Sequence, residues 1–107
     1  GQLVFLGHHP FAMVCSAPAG DGPVGRRLER PYFGLHHLDW TDALEDPGGI
    51  EFNMPVGEWF ALFSDIGFAV ENYIEVQAPE LVEGTRFWIP ADWSRDFPSE
   101  QVWFLRK

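Results

Sequence analysis

"PVGEWFALFSDIGFAVENYIE", Pro55–Glu75, is the stretch that decides the fold. Val56, Trp59, Phe60 and Phe63 recur at the i, i+3, i+4 and i+7 positions of a single apolar face, which predicts a helix over Val56–Ile66. Pro55 suits the first turn, where its missing N–H would have had no partner, and Glu58 faces the positive end of the helix dipole. Gly67 stands where a left-handed residue ends a helix. "FAVENYIEV" then reads as a strand with Phe68, Val70, Ile74 and Val76 on one face, interrupted by Asn72, and Ala69, Glu71, Tyr73 and Glu75 on the other. A helix, a glycine stop and a strand make an α/β unit.

Upstream of that unit, "GIEFNMPV" alternates Ile50, Phe52 and Met54 against Glu51 and Asn53, as a short strand does. Between His8 and Pro55 no sustained period appears. "APAGDGPVG" (Ala17–Gly25) and "EDPGG" (Glu45–Gly49) break the chain, and "PYFGLHHLDW" (Pro31–Trp40) between them is dense in aromatics and histidine. The chain begins with "QLVFLG" (Gln2–Gly7), a nearly continuous apolar run that suits a strand covered on both faces. Downstream, a link from Gln77 to Gln101 is too long for a tight hairpin. It carries Trp88 and Trp93 and is expected to pack back on the domain, and "VWFLR" (Val102–Arg106) closes the chain as a last strand.

The composition sets limits on function. A chain of 107 residues is at most one domain, and 46% hydrophobic with 16% aromatic content is too rich for disorder. The net charge of −9 repels a phosphate backbone, and no basic cluster exceeds "GRRLER" (Gly25–Arg30), so nucleic acid is not the expected partner. A lone Cys15 allows no intrachain disulfide, which fits a reducing compartment. No apolar run reaches the ~20 residues of a membrane span, and no signal peptide is visible at the start. The expected location is cytoplasmic with no membrane partner. Gly1, entering strand-like sequence at once, reads as the start of a fragment or a processed terminus.

Three stretches in this order resemble the C-terminal half of a class I S-adenosylmethionine-dependent methyltransferase, of the small-molecule kind labelled methyltransferase type 11. "LVFLGHHPF" (Leu3–Phe11) is similar to that family's strand five and the loop leaving it. "PVGEWFALFSDIGFAVENYIE" is similar to its last helix, glycine stop and strand six, and "PSEQVWFLRK" (Pro98–Lys107) to its strand seven. The resemblance implies an α/β fold: the C-terminal part of a Rossmann-like seven-stranded sheet, strands five, six and seven plus the last helix. Residues 1–107 would be the substrate-side half of the domain, with 8–55 covering the substrate and 56–107 supplying the helix and closing strands. The implied reaction is methyl transfer from S-adenosylmethionine to a small-molecule acceptor.

The family's cofactor grip, a glycine-rich turn after strand one and an acidic residue after strand two, is missing. "GDGPVG" (Gly20–Gly25) follows no strand and leads into "RRLERP", not a helix. The cofactor therefore belongs to the complete enzyme and this chain alone is expected to be inactive. In the family's sheet, strand five pairs with strand four on one side and strand seven on the other. An absent strand four leaves an open edge, so the expected partner is the missing N-terminal half, or a second copy self-pairing along Leu3–Leu6.

The candidate chemistry follows from that placement. Ligands of open α/β sheets sit beyond the carboxyl ends of the strands, which puts His8 and His9 at the rim. A neutral imidazole there accepts a proton from the nucleophile, so both are the catalytic candidates. Phe11, Tyr32, Phe33, His37 and Trp40 are the substrate-binding candidates, and Phe52 and Met54 belong to the same covering segment. The alternatives are a noncatalytic methyltransferase-like binding module and a small metalloprotein using His8, His9, His36, His37 and Asp39. Adjacent histidines on an extended segment point to opposite faces, and no HxH or HxxxH spacing occurs, so no metal is expected. Trp59, Phe60, Phe63, Trp88, Trp93 and Trp103 read as packing residues, and Cys15 as inert.

Overall fold

The computed structural model describes residues 1–18, 22–42, 49–86 and 88–107. In chain order the elements are β1 (Gln2–His8), α1 (Pro10–Val14), β2 (His37–Asp39), β3 (Ile50–Phe52), α2 (Val56–Asp65), β4 (Ala69–Val76), β5 (Thr85–Arg86), β6 (Ile89–Pro90), α3 (Ala91–Asp96) and β7 (Glu100–Arg106). The class is mixed α/β, with three helices and three small antiparallel sheets among the described residues. The largest sheet has the order β1-β7-β4. The strand β7 runs antiparallel to both neighbours, so β1 and β4 run parallel to each other. β2 pairs with β3, and β5 with β6.

The closing strand is central because its sequence serves two faces. Gln101, Trp103 and Leu105 are buried while Val102 and Phe104 between them are half-buried. On the inner face, α2 lays Trp59 and Phe63 against Trp103 and Leu105. The Trp103 ring centroid lies 4.1 Å from Tyr73, 4.7 Å from Phe60 and 5.1 Å from Phe63, and Phe5 of β1 completes the cluster 5.3 Å from Trp59. Each such side chain contributes about 1.5–3 kcal/mol by leaving water. A second core gathers Met13 of α1, Leu38 of β2, Ile89 of β6 and Trp93 of α3, with Phe11, Trp40, Trp88 and Phe97 half-buried around it. The long link after β4 thus folds back, as its tryptophans imply.

The ends of α2 explain its length. At the C-terminus Gly67 takes φ +93°, Phe68 N–H donates to the Phe63 carbonyl at 2.8 Å and Gly67 N–H to that of Ser64 at 3.1 Å, a Schellman pair. At the N-terminus Pro55 offers no side-chain acceptor, and Tyr32 takes that role: the Val56 N–H donates to its hydroxyl at 2.8 Å.

Two expectations need correction. β1 is not covered on both faces. Val4 is 55% and Leu6 60% exposed, and the strand ends the sheet, since among the described residues β7 is its one pairing partner. The strand β4 does not keep Val70 and Ile74 on one face. Val70 pairs with Leu105 and Asn72 with Phe104, so Glu71 is an unmatched bulge residue. Past the bulge the faces exchange, and Tyr73 turns inward beside Trp103 while Ile74 turns outward and is exposed. Among the described residues, no helix is long and apolar enough to cross a membrane.

Candidate active site

β1 delivers His8 to its carboxyl end, where α1 begins. Gly7 and His8 border an open cavity of about 400 Å³, also lined by Phe5, Phe52, Trp59, Glu51 and Glu100. The carbonyl of His8 is fixed from two sides. Asn53 Nδ2 donates to it at 2.9 Å and Gln101 Nε2 at 3.2 Å. Each amide is itself held. Trp59 Nε1 and the Met54 N–H donate to Asn53 Oδ1 at 3.2 and 2.9 Å, and the Tyr73 hydroxyl donates to Gln101 Oε1 at 3.1 Å. Gln101 is 0% exposed, and a buried amide is tolerated only with such partners.

The His8 ring is aimed by a carboxylate. Its Nδ1 lies 3.1 and 3.3 Å from the two Glu51 oxygens. A carboxylate only accepts, so Nδ1 carries the proton and Nε2 keeps its lone pair. No hydrogen-bond partner meets Nε2 among the described residues, and the edge of Trp88 braces the ring at 4.7 Å between centroids. The bond to Glu51 raises the His8 pKa against the opposing effect of burial, and the Glu51 and Glu100 charges add to the rise. A base with a pKa nearer neutrality is better suited to proton transfer at physiological pH.

His9 is a different group. The Phe11 N–H donates to its Nδ1 at 3.0 Å, capping α1, so its proton sits on Nε2, which donates to Glu75 at 2.7 Å. Both nitrogens are committed and the residue is buried. Burial lowers its pKa despite the neighbouring carboxylate. His9 is a neutral cap and does not line the cavity.

Of the catalytic and substrate-covering candidates expected from the sequence, His8 and Phe52 line the cavity. Phe11 stacks on Phe97 at 5.3 Å in the second core, and Tyr32 caps α2. Phe33 is 83% exposed, and His37 lies exposed on β2 with its ring 5.9 Å from His36. Trp40 packs on the second core under the Arg30 guanidinium, 5.6 Å from its centroid. Cys15 is buried, and desolvation pushes its thiol pKa up, away from thiolate reactivity. Among the described residues, no three His, Cys, Asp or Glu side chains converge as metal donors.

Glu51, Asn53, Glu100 and Gln101 are the site residues that sequence reasoning missed. A signal existed for the first two. In β3 the apolar Ile50 and Phe52 are exposed, while Glu51 is half-buried and Asn53 buried. An alternating strand that turns its polar residues inward is serving a polar site rather than a core. Part of "GDGPVG" lies outside the described residues, and no helix follows Gly25. No protein-family model, curated protein or solved structure matches the chain.

Proposed function

We propose that the chain is the substrate-side half of an S-adenosylmethionine-dependent methyltransferase acting on a small-molecule acceptor, with His8 as its general base. The observation that carries the reading is the Glu51–His8 pair at the carboxyl end of β1, its free Nε2 beside an aromatic-walled cavity. The sheet adds support. β1 pairs with the closing strand on one side and is open on the other, which is the position of the family's strand five when strand four is elsewhere.

On this reading Glu51 orients the imidazole, and His8 Nε2 takes the acceptor's proton as its lone pair is released for attack. Asn53 and Gln101 hold the strand end so that the ring does not drift. Such positioned proton transfer is worth roughly 10²–10⁴-fold in rate. The described residues do not fit the cofactor, since among them no glycine turn leads into a helix. The donor site is assigned to a partner half that pairs along Leu3–Leu6.

The test joins this chain to the polypeptide encoded upstream of Gly1 and measures transfer of a labelled methyl group from S-adenosylmethionine to a panel of small acceptors. Label should appear in a product, and His8→Ala should lower kcat at least 100-fold, in keeping with the general-base magnitude, with stability retained. Absence of an upstream glycine turn, together with no transfer, sinks the proposal. Acceptor binding without turnover favours the noncatalytic module.

A further inference from the structure

We propose that the cavity beside His8 selects an organic amine in its protonated, cationic form. This rests on the methyl-acceptor reading and names the acceptor class.

The walls carry the argument. Phe5, Phe52 and Trp59 are among the lining residues, and aromatic faces attract cations. Glu51 and Glu100 supply two carboxylates, and among the described residues no lysine or arginine lines the cavity. Glu51 is satisfied by His8, whereas Glu100 has no hydrogen-bond or ion-pair partner among the described residues. A half-buried carboxylate beside aromatic rings lacks only a cation. Glu100 sits opposite His8 in the β1–β7 register, so an ammonium drawn to it arrives next to the imidazole. An anionic ligand meets the reverse: two negative groups at the site and a surface of net charge −9 around it. The volume of about 400 Å³ suits an amine with one ring. The proton balance also closes. The ammonium gives one proton to His8 Nε2, leaving a neutral amine with a free lone pair and an imidazolium held by Glu51.

Three probes of one shape separate charge from fit: phenethylamine, 2-phenylethanol and phenylacetate, each titrated into the isotope-labelled chain at neutral pH and followed by amide NMR shifts. Phenethylamine should give saturable shifts at Gly7, His8 and Glu51. The alcohol should bind at least tenfold more weakly, and phenylacetate should leave those amides unmoved. Glu100→Gln should weaken phenethylamine binding at least fivefold, with the exposed Glu80→Gln as an unchanged control. The proposal is overturned if the alcohol or phenylacetate binds as tightly, if no probe saturates, or if Glu100→Gln has no effect. None of the titrations involves S-adenosylmethionine, so their failure is separate from failure of the methyl-transfer assay.

Discussion

A histidine ring has two nitrogens, and what each one meets decides what the residue does. His8 meets a carboxylate through Nδ1 and, among the described residues, no hydrogen-bond partner through Nε2, while His9 is bonded through both. Their pH behaviour is therefore opposite. The His8 pKa is raised by its bond to Glu51. Its contribution to stability is whole below about pH 6.5, the unfolded value, and is lost as pH rises through the folded pKa. The His9 pKa is lowered by burial, so its contribution is whole above about pH 6.5 and is lost as pH falls toward the folded pKa. NMR titration should place one imidazole above 6.5 and one below. Glu51→Gln should bring His8 down, and His9→Asn, which keeps a cap acceptor, should flatten the acid side of the stability profile. His8 and His9 titrating together overturn the assignment. The sequence displays "HH" but hides this division. The deciding carboxylates, Glu51 and Glu75, lie 43 and 66 residues away along the chain.

At the scale of elements, α2 was legible because its signals are local: an apolar stripe, an acidic first turn and a glycine stop within one stretch. Gly67→Ala tests the stop. At φ +93° a side chain is strained, and the nearest atom to an added Cβ is Lys107 Cε at 3.8 Å, so the cost is conformational rather than steric. About 1 kcal/mol of stability should be lost in denaturant unfolding. Tyr32→Phe tests the other end. It removes the acceptor for the Val56 N–H and should cost about 1 kcal/mol, without altering ligand binding in the cavity. A change in binding with no loss of stability returns Tyr32 to the substrate role first expected of it. The elements that escaped are α1 and α3, too short to show a period, the two-residue strands β5 and β6, and β2, a three-residue strand paired with β3. The β4 bulge escaped because alternation is a local pattern, whereas the unmatched residue is defined by the partner strand.

The whole molecule is flat, 39 × 33 × 21 Å, with a radius of gyration of 14.6 Å against about 13 Å for a compact chain of this length. Two cores side by side, rather than one, account for the extra extent, and the site lies on their seam: Trp88 of one braces His8, and Trp59 of the other holds Asn53. The open edge of β1 is the exposed consequence, an uncharged strand with apolar side chains in water. Leu6→Lys should abolish concentration-dependent association in sedimentation while the circular dichroism spectrum stays the same. Raising salt should strengthen association of the unaltered chain, because it screens the repulsion between copies of charge −9. An association that weakens with salt points away from this edge. The order of strand, excursion, helix, strand, link and strand could be read from the sequence because each piece has its own composition. The pairing of the first strand with the last was expected through the resemblance alone, since no residue in β1 announces its neighbour. Glu71, finally, does more than bend a strand. It switches Tyr73 inward, Tyr73 on β4 grips Gln101 on β7, and Gln101 grips His8 on β1. Deleting that one surface glutamate would loosen one of the two amide anchors on the His8 carbonyl, so the far margin of the sheet bears on the strand end that carries the histidine.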